Sequence, residues 1–319
     1  MKELFICEQA GRAMNEIGKV IIGKDRIIRQ VMTAILASGH ILIEDIPGVG
    51  KTTLALSFSK VLGLDYQRIQ FTPDVMPADI AGFSVYKPET GTFEYQKGSA
   101  MTNLLLADEI NRTSPKTQSA LLEAMEEGRI TVDGVTRELP KPYVVIATQN
   151  PIGSIGTHSL PESQLDRFMI RISMGYPDQE SEVAMLKQGR VNLAIDQIRE
   201  QITIEELMEI RQEVEQVFAH DDILYYVVSL ANASRRSKNL ELGLSPRGTI
   251  ALLQMAKANA YLSNRNYLVP EDIKDVFFVT AGHRVIKSKE AKIQKKTSDE
   301  ILKEILKSVP LPKGNQRGG

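Results

Sequence analysis

Short apolar runs alternate with helical or long connecting stretches through the first 176 residues. Five such runs recur, at residues 41–43, 66–70, 104–107, 143–148 and 168–172. Brief apolar runs separated by helical patterns predict an α/β domain with a parallel sheet. Apolar residues at helical spacing also predict two amphipathic helices ahead of the sheet, over about residues 3–20 and 25–38.

The strand pattern stops after residue 176, and helix start signals follow. Thr203 and Glu206 have the spacing of a capping box, and Pro246 and Pro270 stand where a first helical residue is expected. Residues 177–287 are therefore predicted to form a small all-helical domain. Residues 288–319 are rich in lysine, and we expect one short helix near 298–308 followed by a solvated tail.

Two insertions interrupt the predicted α/β domain. Residues 71–102 form a long connection with several prolines and glycines, and connections of that length are more often functional than incidental. Residues 129–139 alternate around Asp133-Gly134, a pair that favours a tight primed turn. The second insertion is therefore predicted to be a β-hairpin placed before a central strand.

Composition narrows the classes of protein. The chain has 319 residues and a net charge of −1, which argues against a protein that coats nucleic acid. A single cysteine, Cys7, excludes an intramolecular disulfide, and the four scattered histidines do not have metal-ligand spacing. The N-terminus lacks the features of a signal peptide, and no apolar run approaches the roughly 20 residues that span a bilayer. We therefore expect a soluble, cytoplasmic protein.

Residues 45–52 resemble a phosphate-binding loop, although Asp45 stands where the pattern G-x-x-x-x-G-K-[ST] has its first glycine. Gly48 and Gly50 allow the tight curl that turns backbone N–H groups toward phosphate oxygens. Lys51 would bring positive charge to the β- and γ-phosphates, and the Thr52 hydroxyl could ligate Mg²⁺. A helix predicted from residue 51 would point its N-terminus at the phosphates. The alternative is an ordinary glycine-rich turn between a strand and a helix.

A second signal is the pair of carboxylates, Asp108 and Glu109, that ends the apolar run at 104–107. Ligands of open parallel sheets lie beyond the C-terminal ends of the strands, so this pair is predicted to lie beside the phosphate loop. Asp108 could hold Mg²⁺ through water, and Glu109 could accept a proton from the water that attacks the γ-phosphate. The alternative is a pair of solvated loop carboxylates.

Three further polar residues are candidates for catalysis. Asn150 follows the run at 143–148 and could orient water or sense the γ-phosphate, although an Asn before proline is also an ordinary turn residue. Arg167 could donate charge to the transition state; otherwise it forms a surface salt bridge with Asp166 or a neighbour. Arg247 could also reach the γ-phosphate, or could be an exposed arginine at a helix start.

In this order, the motifs resemble those of the AAA+ ATPases over about residues 20–285. The resemblance implies these roles: adenine packing for the segment 20–24, which includes Ile22 and Gly23; Walker A for Pro47, Gly48, Val49, Gly50, Lys51 and Thr52, with Thr53 following; Walker B for 104–109; sensor 1 for Asn150; the arginine finger for Arg167; and sensor 2 for Arg247. The insertion at 71–102 resembles the helix-2 insert, and the hairpin at 129–139 resembles the pre-sensor-1 hairpin.

Within that superfamily the chain resembles the MoxR group, on the wording of residues 44–52, 71–74, 108–112, 147–151, 160–162 and 165–168. The resemblance implies a five-stranded parallel sheet in the order 5-1-4-3-2, followed by a helical lid. It also implies a ring, with six subunits expected, that binds ATP and Mg²⁺ at subunit interfaces. Arg167 would act on the ATP of a neighbour, whereas Arg247 could act in cis or in trans.

The preferred hypothesis is a Mg²⁺-dependent ATPase that remodels or activates a protein client. The resemblance further implies a partner with a von Willebrand factor A domain. A nucleic-acid translocase is the second hypothesis, but phosphate contacts need clustered basic residues and the hairpin offers only Arg129 and Arg137. A nucleotide-gated scaffold that does not hydrolyse ATP is the third, and the intact Asp108-Glu109 pair disfavours it.

Overall fold

A five-stranded parallel sheet forms the centre of the molecule. The computed structural model describes residues 8–150, 160–188 and 195–312. The elements of the sheet-containing part are α1 (Glu8–Gly18), α2 (Asp25–Leu36), β1 (Ile41–Glu44), α3 (Lys51–Val61), β2 (Tyr66–Gln70), α4 (Pro77–Ala81), β3 (Gly82–Lys87), β4 (Thr92–Lys97), β5 (Leu104–Asp108), α5 (Pro115–Glu127), β6 (Arg129–Val132), β7 (Val135–Glu138), β8 (Val144–Gln149), α6 (Glu162–Leu165), β9 (Ile170–Ile172) and α7 (Gln179–Gln188).

The strand order of the sheet is β2-β5-β8-β1-β9, and every neighbouring pair is parallel. Numbered along the chain as five strands, this is the predicted order 5-1-4-3-2, so the predicted fold is confirmed. The three central strands are apolar and almost wholly buried, as strands covered on both faces must be. The edge strand β2 is half exposed and carries polar side chains.

Side chains alternate across the sheet and divide the core into two layers. Ile41 and Ile43 face one layer, which also holds α1, α2, α3 and the C-terminal helices. Leu42 faces the other layer, which holds α5 and the two inserted segments. Each face of β1 is therefore covered, and the ends of the strands are left to carry the polar chemistry.

The C-terminal part is helical. Its elements are α8 (Ile204–Glu215), α9 (Asp221–Arg236), β10 (Leu240–Leu242), α10 (Pro246–Leu262), α11 (Pro270–Ala281), β11 (Ile286–Lys287), α12 (Lys289–Ile293) and α13 (Ser298–Ser308). The helical lid is confirmed, but the prediction that residues 177–287 are entirely helical is wrong in one detail. The short strands β10 and β11 pair antiparallel, and strands of three and two residues carry too little periodicity to be predicted.

The lid packs on α2 and on the edge strand β9. The guanidinium of Arg211 on α8 donates to the carbonyl of Ile35 at 2.9 Å, and Arg29 of α2 donates to Asn259 at 3.1 Å. Burial lowers the pKa of Arg211 to about 10. Lid and sheet share one continuous apolar layer, so they form a single body in this structure.

Both insertions contain antiparallel hairpins. Strands β3 and β4 pair within the segment 71–102, and β6 and β7 pair across Asp133-Gly134. The two hairpins contact each other, because the Arg137 guanidinium lies 3.9 Å from the ring centre of Tyr95. Tyr86 and Phe93 form an exposed aromatic pair with ring centres 5.4 Å apart on the β3–β4 hairpin.

Several predictions fall outside the described residues. They concern Cys7, His158, the proline after Asn150 and the tail at 313–319. Among the helices that the structure does describe, none combines the length and apolarity required to cross a membrane.

Candidate functional site

The loop at 45–52 curls as its glycines predict. Gly48 and Gly50 have φ of +85° and +93°, in the left-handed region that side chains with a Cβ rarely adopt. Gly50 precedes α3, which begins at Lys51. The Lys51 ammonium donates to the carbonyls of Asp45 at 2.8 Å and Ile46 at 3.2 Å. Burial lowers the pKa of Lys51, and the carboxylates of Asp108, Asp45 and Glu109 oppose that shift.

Asp108 lies at the C-terminal end of β5, beside the loop. Its Oδ1 accepts the Thr148 hydroxyl at 2.6 Å, and its Oδ2 pairs with the Arg68 guanidinium at 2.7 Å. Arg68 projects from the neighbouring edge strand β2, opposite Leu106 in the sheet register. Both oxygens of Asp108 are therefore oriented by side chains from the two strands that flank β5.

Glu109 follows β5 in a strained conformation. Its φ of +57° places a non-glycine residue in the left-handed region, where strain is concentrated at functional sites. The Glu109 N–H donates to the Thr148 hydroxyl at 2.9 Å. Its Oε2 accepts from Gln70 at 3.0 Å and pairs with Arg112 at 2.9 Å. The carboxylate is thus held at a fixed place beside Asp108.

Asn150 lies on the same edge, directly after β8. Asn111, in the short 3₁₀ turn at Ile110–Arg112, donates to the Asn150 carbonyl at 3.4 Å. The side-chain oxygen of Asn111 is buried without a hydrogen-bond partner in the described part of the chain. The predicted residues Lys51, Asp108, Glu109 and Asn150 are therefore brought together at the C-terminal edge of the sheet.

A cavity of about 720 Å³ opens next to the phosphate loop. One wall is the loop itself with Thr53, and another is the segment 20–22 that was predicted to contact adenine. The third wall comes from residues 174–177 and α7, with apolar side chains such as Met185 and Leu186. Gly23 does not line the cavity; a Cβ there would lie 2.0 Å from the Ser181 hydroxyl, so glycine lets α7 approach.

The residues present fit a nucleoside triphosphate and its metal. The space around a Cβ built on Gly48 is open to at least 4 Å, which leaves room for phosphate against the backbone. Thr52 and Asp108 offer oxygen atoms of the kind that Mg²⁺ prefers, and Lys51 offers the cation. The apolar walls of the cavity suit a flat base. The loop, the carboxylates and the cavity together make one site.

Arg167 and Arg247 lie elsewhere, at the N-terminal ends of the parallel strands. Arg167 precedes β9, which begins level with the start of β1, whereas the phosphate loop follows the end of β1. The strand alone separates the two edges by about 10 Å, at about 3.3 Å per residue. Neither arginine is brought to the phosphate loop of its own chain.

The two arginines meet on one carboxylate of α5. Arg167 Nη1 pairs with Glu126 Oε2 at 2.6 Å and also donates to the Leu122 carbonyl at 2.7 Å. Arg247 Nη1 pairs with Glu126 Oε1 at 3.0 Å. The end of α5 is fixed at this edge because the ring of His40, just before β1, contacts the Met125 carbonyl at 3.0 Å.

Comparisons with known proteins agree with this architecture. Residues 40–170 match the model of the ATPase family associated with various cellular activities (AAA), and residues 232–305 match the AAA lid domain. The chain is 45% identical to the YeaC protein of Bacillus subtilis over 95% of its own length and 94% of that protein. It is 34% identical to Chaperone MoxR1 of Mycobacterium tuberculosis, over 95% of this chain and 82% of the relative.

The chain belongs to the MoxR family of AAA+ ATPases. A solved structure of a Cytophaga hutchinsonii protein superposes with a TM-score of 0.89 at 37% identity and covers 96% of both chains. In MoxR terms, the phosphate loop, the paired carboxylates and Asn150 lie on one edge of the sheet, and the two candidate arginines lie on the other.

The lid of this MoxR chain is tied to the segment that carries Arg167. Asp166 pairs with Arg284 at 2.7 Å and accepts the Ser245 hydroxyl at 2.8 Å. Burial lowers the pKa of Arg284 to about 10, while Asp166 acts against that shift. Arg167 therefore forms a salt bridge, as its alternative interpretation expected, but with Glu126 rather than with Asp166, which pairs with Arg284.

Sequence reasoning missed four residues that orient the site: Arg68, Gln70, Thr148 and Glu126. Thr148 left a signal, since it is a wholly buried polar residue inside an apolar strand. Arg68 and Gln70 alternate on a short strand and so share a face, but nothing in the sequence places that face against Asp108. Glu126 lies among other glutamates on α5 and leaves no signal at all.

Proposed function

We propose that this chain binds ATP with Mg²⁺ and hydrolyses it. The observation that carries the proposal is the convergence of Lys51, Asp108 and Glu109 at one strand edge beside a cavity that suits a base. Lys51 and the loop N–H groups bind the β- and γ-phosphates, and residues 20–22 contact the base. Glu109 accepts the proton of the attacking water, which Asn150 orients.

Thr52 and Asp108 are the residues that would hold Mg²⁺. When bound, the metal neutralises charge on the β- and γ-phosphates. Asp108 is prepared for this role by Thr148, which fixes Oδ1, whereas Arg68 occupies Oδ2.

Substitution of Lys51 and Glu109 tests the proposed reaction. Lys51→Ala should abolish ATP binding measured by titration calorimetry. Glu109→Gln should bind ATP normally and lower the rate of phosphate release by about 10²- to 10⁴-fold, the usual contribution of a general base. Lys303→Ala, an exposed lysine of α13, is the control and should match the wild type. Normal ATP affinity in Lys51→Ala would refute the loop assignment, and near-normal turnover in Glu109→Gln would refute the base.

We propose that Arg167 and Arg247 both act on ATP bound to a neighbouring subunit. Support comes from their position at the strand edge opposite the loop and from their shared contact with Glu126. An arginine that acts in trans requires an open face that meets the site of the next subunit, which is a head-to-tail contact that closes into a ring. We propose a ring of six subunits.

We propose that the ring works as a chaperone-like motor on a protein client, with a von Willebrand factor A domain protein as partner. The support is the similarity to Chaperone MoxR1 over nearly the whole chain. The exposed Tyr86–Phe93 pair gives the β3–β4 hairpin an apolar surface suited to a polypeptide. Capture by the Glu109→Gln variant in the presence of ATP, followed by mass spectrometry, tests for client and partner.

The contacts of the β6–β7 hairpin disfavour the nucleic-acid alternative. The two basic residues of the β6–β7 hairpin are engaged, Arg129 with Glu127 at 2.9 Å and Arg137 with the Tyr95 ring. Nucleic-acid binding depends on cations that are available to phosphates. A turnover rate that DNA or RNA stimulates, and that salt suppresses strongly, would reverse this preference.

A further inference from the structure

Asp45 occupies the position where phosphate loops carry their first glycine, and both of its carboxylate oxygens accept hydrogen bonds. It is only 6% exposed. Its Oδ1 accepts the N–H of Ile46 at 2.9 Å. Its Oδ2 accepts three donors from a distant segment: the N–H of Met174 at 2.6 Å, the N–H of Gly175 at 2.7 Å and the hydroxyl of Ser173 at 3.1 Å. A glycine at this position would make none of these contacts.

The segment that Asp45 binds is the one that turns from β9 into the wall of the cavity. Met174, Tyr176 and Pro177 line that cavity opposite the phosphate loop. Lys24 holds the same segment through its carbonyls, donating to Met174 at 2.6 Å and to Tyr176 at 2.8 Å. The Asp45 carboxylate therefore accepts from the N–H groups of this wall, and the Lys24 ammonium donates to its carbonyls. Both sets of hydrogen bonds are charge-assisted.

We infer that Asp45 is a positioning residue that joins the phosphate loop to the wall of the base cavity. The inference rests on the proposed nucleotide binding. Asp45 begins the loop and binds the wall, so it sets the distance between the phosphate subsite and the base subsite. A ligand that occupies both subsites, such as ATP, gains from this link. A ligand that occupies only the phosphate subsite does not.

The link can be removed without dismantling the loop. Lys51 contacts the main-chain carbonyl of Asp45, which every residue type retains. The main-chain N–H of Asp45 donates to Gln149 and extends the pairing of β1 with β8, and this contact also survives substitution. Asp45→Gly therefore restores the usual loop sequence and removes the connection to residues 173–175, together with the contact between Oδ1 and the N–H of Ile46.

The test compares ATP with inorganic tripolyphosphate, each with Mg²⁺, by titration calorimetry. In Asp45→Gly the dissociation constant for ATP should rise about tenfold or more, while that for tripolyphosphate should change by less than about threefold. Asp45→Asn, which keeps one acceptor oxygen, should be intermediate. Ser173→Ala removes one contact from the wall side alone and should raise the ATP constant by about threefold.

Each outcome decides the inference. Unchanged ATP affinity in Asp45→Gly, or an equal rise for both ligands, would overturn it, since an equal rise means that Asp45 shapes only the loop. A wild-type chain that binds neither ligand would overturn the proposed function and this inference with it. If Asp45→Gly does not fold, Asp45→Asn and Ser173→Ala carry the test, with a smaller but equally selective loss of ATP affinity expected.

Discussion

At the scale of single residues, the proposed catalytic carboxylates depend on partners that lie far away in the chain. Asp108 is held by Arg68 and Thr148, each 40 positions distant. Glu109 stays in a left-handed conformation because Thr148, Gln70 and Arg112 bind it on several sides. Such over-determined contacts are what allow a strained residue to persist at a reactive site.

Thr148→Val should expose this dependence. Valine fills the same buried space but cannot donate to Asp108 or accept from the N–H of Glu109. We expect turnover to fall about tenfold and the Mg²⁺ concentration for half-maximal rate to rise, since a hydrogen bond to a charged group contributes about 1.5–3 kcal/mol. Thr148→Ser keeps the hydroxyl and should behave like the wild type. Equal rates and equal Mg²⁺ dependence in the valine variant would contradict the positioning role.

His40 should make folding stability depend on pH. Its Nδ1 accepts the N–H of Val145, so Nε2 donates to Met125 and the ring is neutral. Burial lowers the pKa of His40 to about 4, and the positive charges of Arg211 and Arg247 add to that shift. The unfolded chain takes up a proton near pH 6.5, whereas the folded chain does not until about pH 4.

Because the folded chain binds this proton more weakly than the unfolded chain, folding stability decreases as the pH falls. The contribution of His40 to stability is complete above pH 6.5 and is lost as the pH falls from 6.5 toward 4, by up to about 3 kcal/mol. Urea unfolding at several pH values should show this loss. His40→Gln, which keeps a donor and an acceptor but does not titrate, should show a smaller slope over the same range. An equal slope in both proteins would assign the pH dependence to other groups, such as the buried His283.

At the level of elements, all five strands of the central sheet are predicted from the sequence, although the strand at 66–70 mixes polar with apolar residues. The apolar runs succeed because β1, β5 and β8 are buried on both faces, so that apolar residues are required at every position. The β3–β4 hairpin was not predicted within the segment 71–102, because it is largely exposed and mixes aromatic with polar residues. The paired strands β10 and β11 of the lid were not predicted because they are too short to show a periodic pattern.

The same contrast holds for the site. Asp108 and Glu109 stand at the end of a strand and Lys51 stands in a glycine-rich loop motif, so all three could be predicted from the sequence. The contacts of Asp45 with residues 173–175 join segments nearly 130 positions apart, and only the folded chain brings them together. Sequence spacing reports what lies along an element, whereas these contacts run between elements.

Helix α5 connects the two edges of the sheet. It begins just after the carboxylate pair, where Ser114 caps its first turn, and ends at Glu126 and Glu127 beside the two arginines. The Glu126 carboxylate pairs with the Nη1 atom of each arginine. This arrangement orients the pair, and we propose that their remaining N–H groups contact the phosphate of a neighbour.

Glu126→Gln should therefore slow turnover rather than speed it. Loss of the charge loosens both arginines, and we expect kcat to fall about tenfold while the KM for ATP changes less than about threefold, because the residues that bind ATP are untouched. Glu123→Gln, on the same surface of α5, is the matched control and should retain the wild-type rate. A faster Glu126→Gln variant would mean that the carboxylate restrains the arginines instead.

In the molecule as a whole, sheet and lid form one body. The phosphate loop lies at the C-terminal ends of the parallel strands, and Arg167 and Arg247 lie at their N-terminal ends. Arg284 of the lid binds Asp166 and the carbonyls of Phe168 and Met169, so the lid supports the segment that presents Arg167. One chain therefore carries the proposed nucleotide site at one end of the strands, and Arg167 and Arg247 at the other end. We propose that a second copy of the chain completes the site.

Mixing Arg167→Ala subunits with Glu109→Gln subunits tests whether the site is completed in trans. Arg167→Ala chains keep the base, and Glu109→Gln chains keep the arginine, so each alone should be nearly inactive. Rings mixed in equal amounts should recover roughly a quarter of the wild-type rate of phosphate release, because half of the sites carry the base and half of those meet an intact arginine. Affinity purification through a tag on one variant, with detection of the other variant in the eluate, confirms that mixed rings have formed. Inactivity at every mixing ratio would contradict completion of the site in trans.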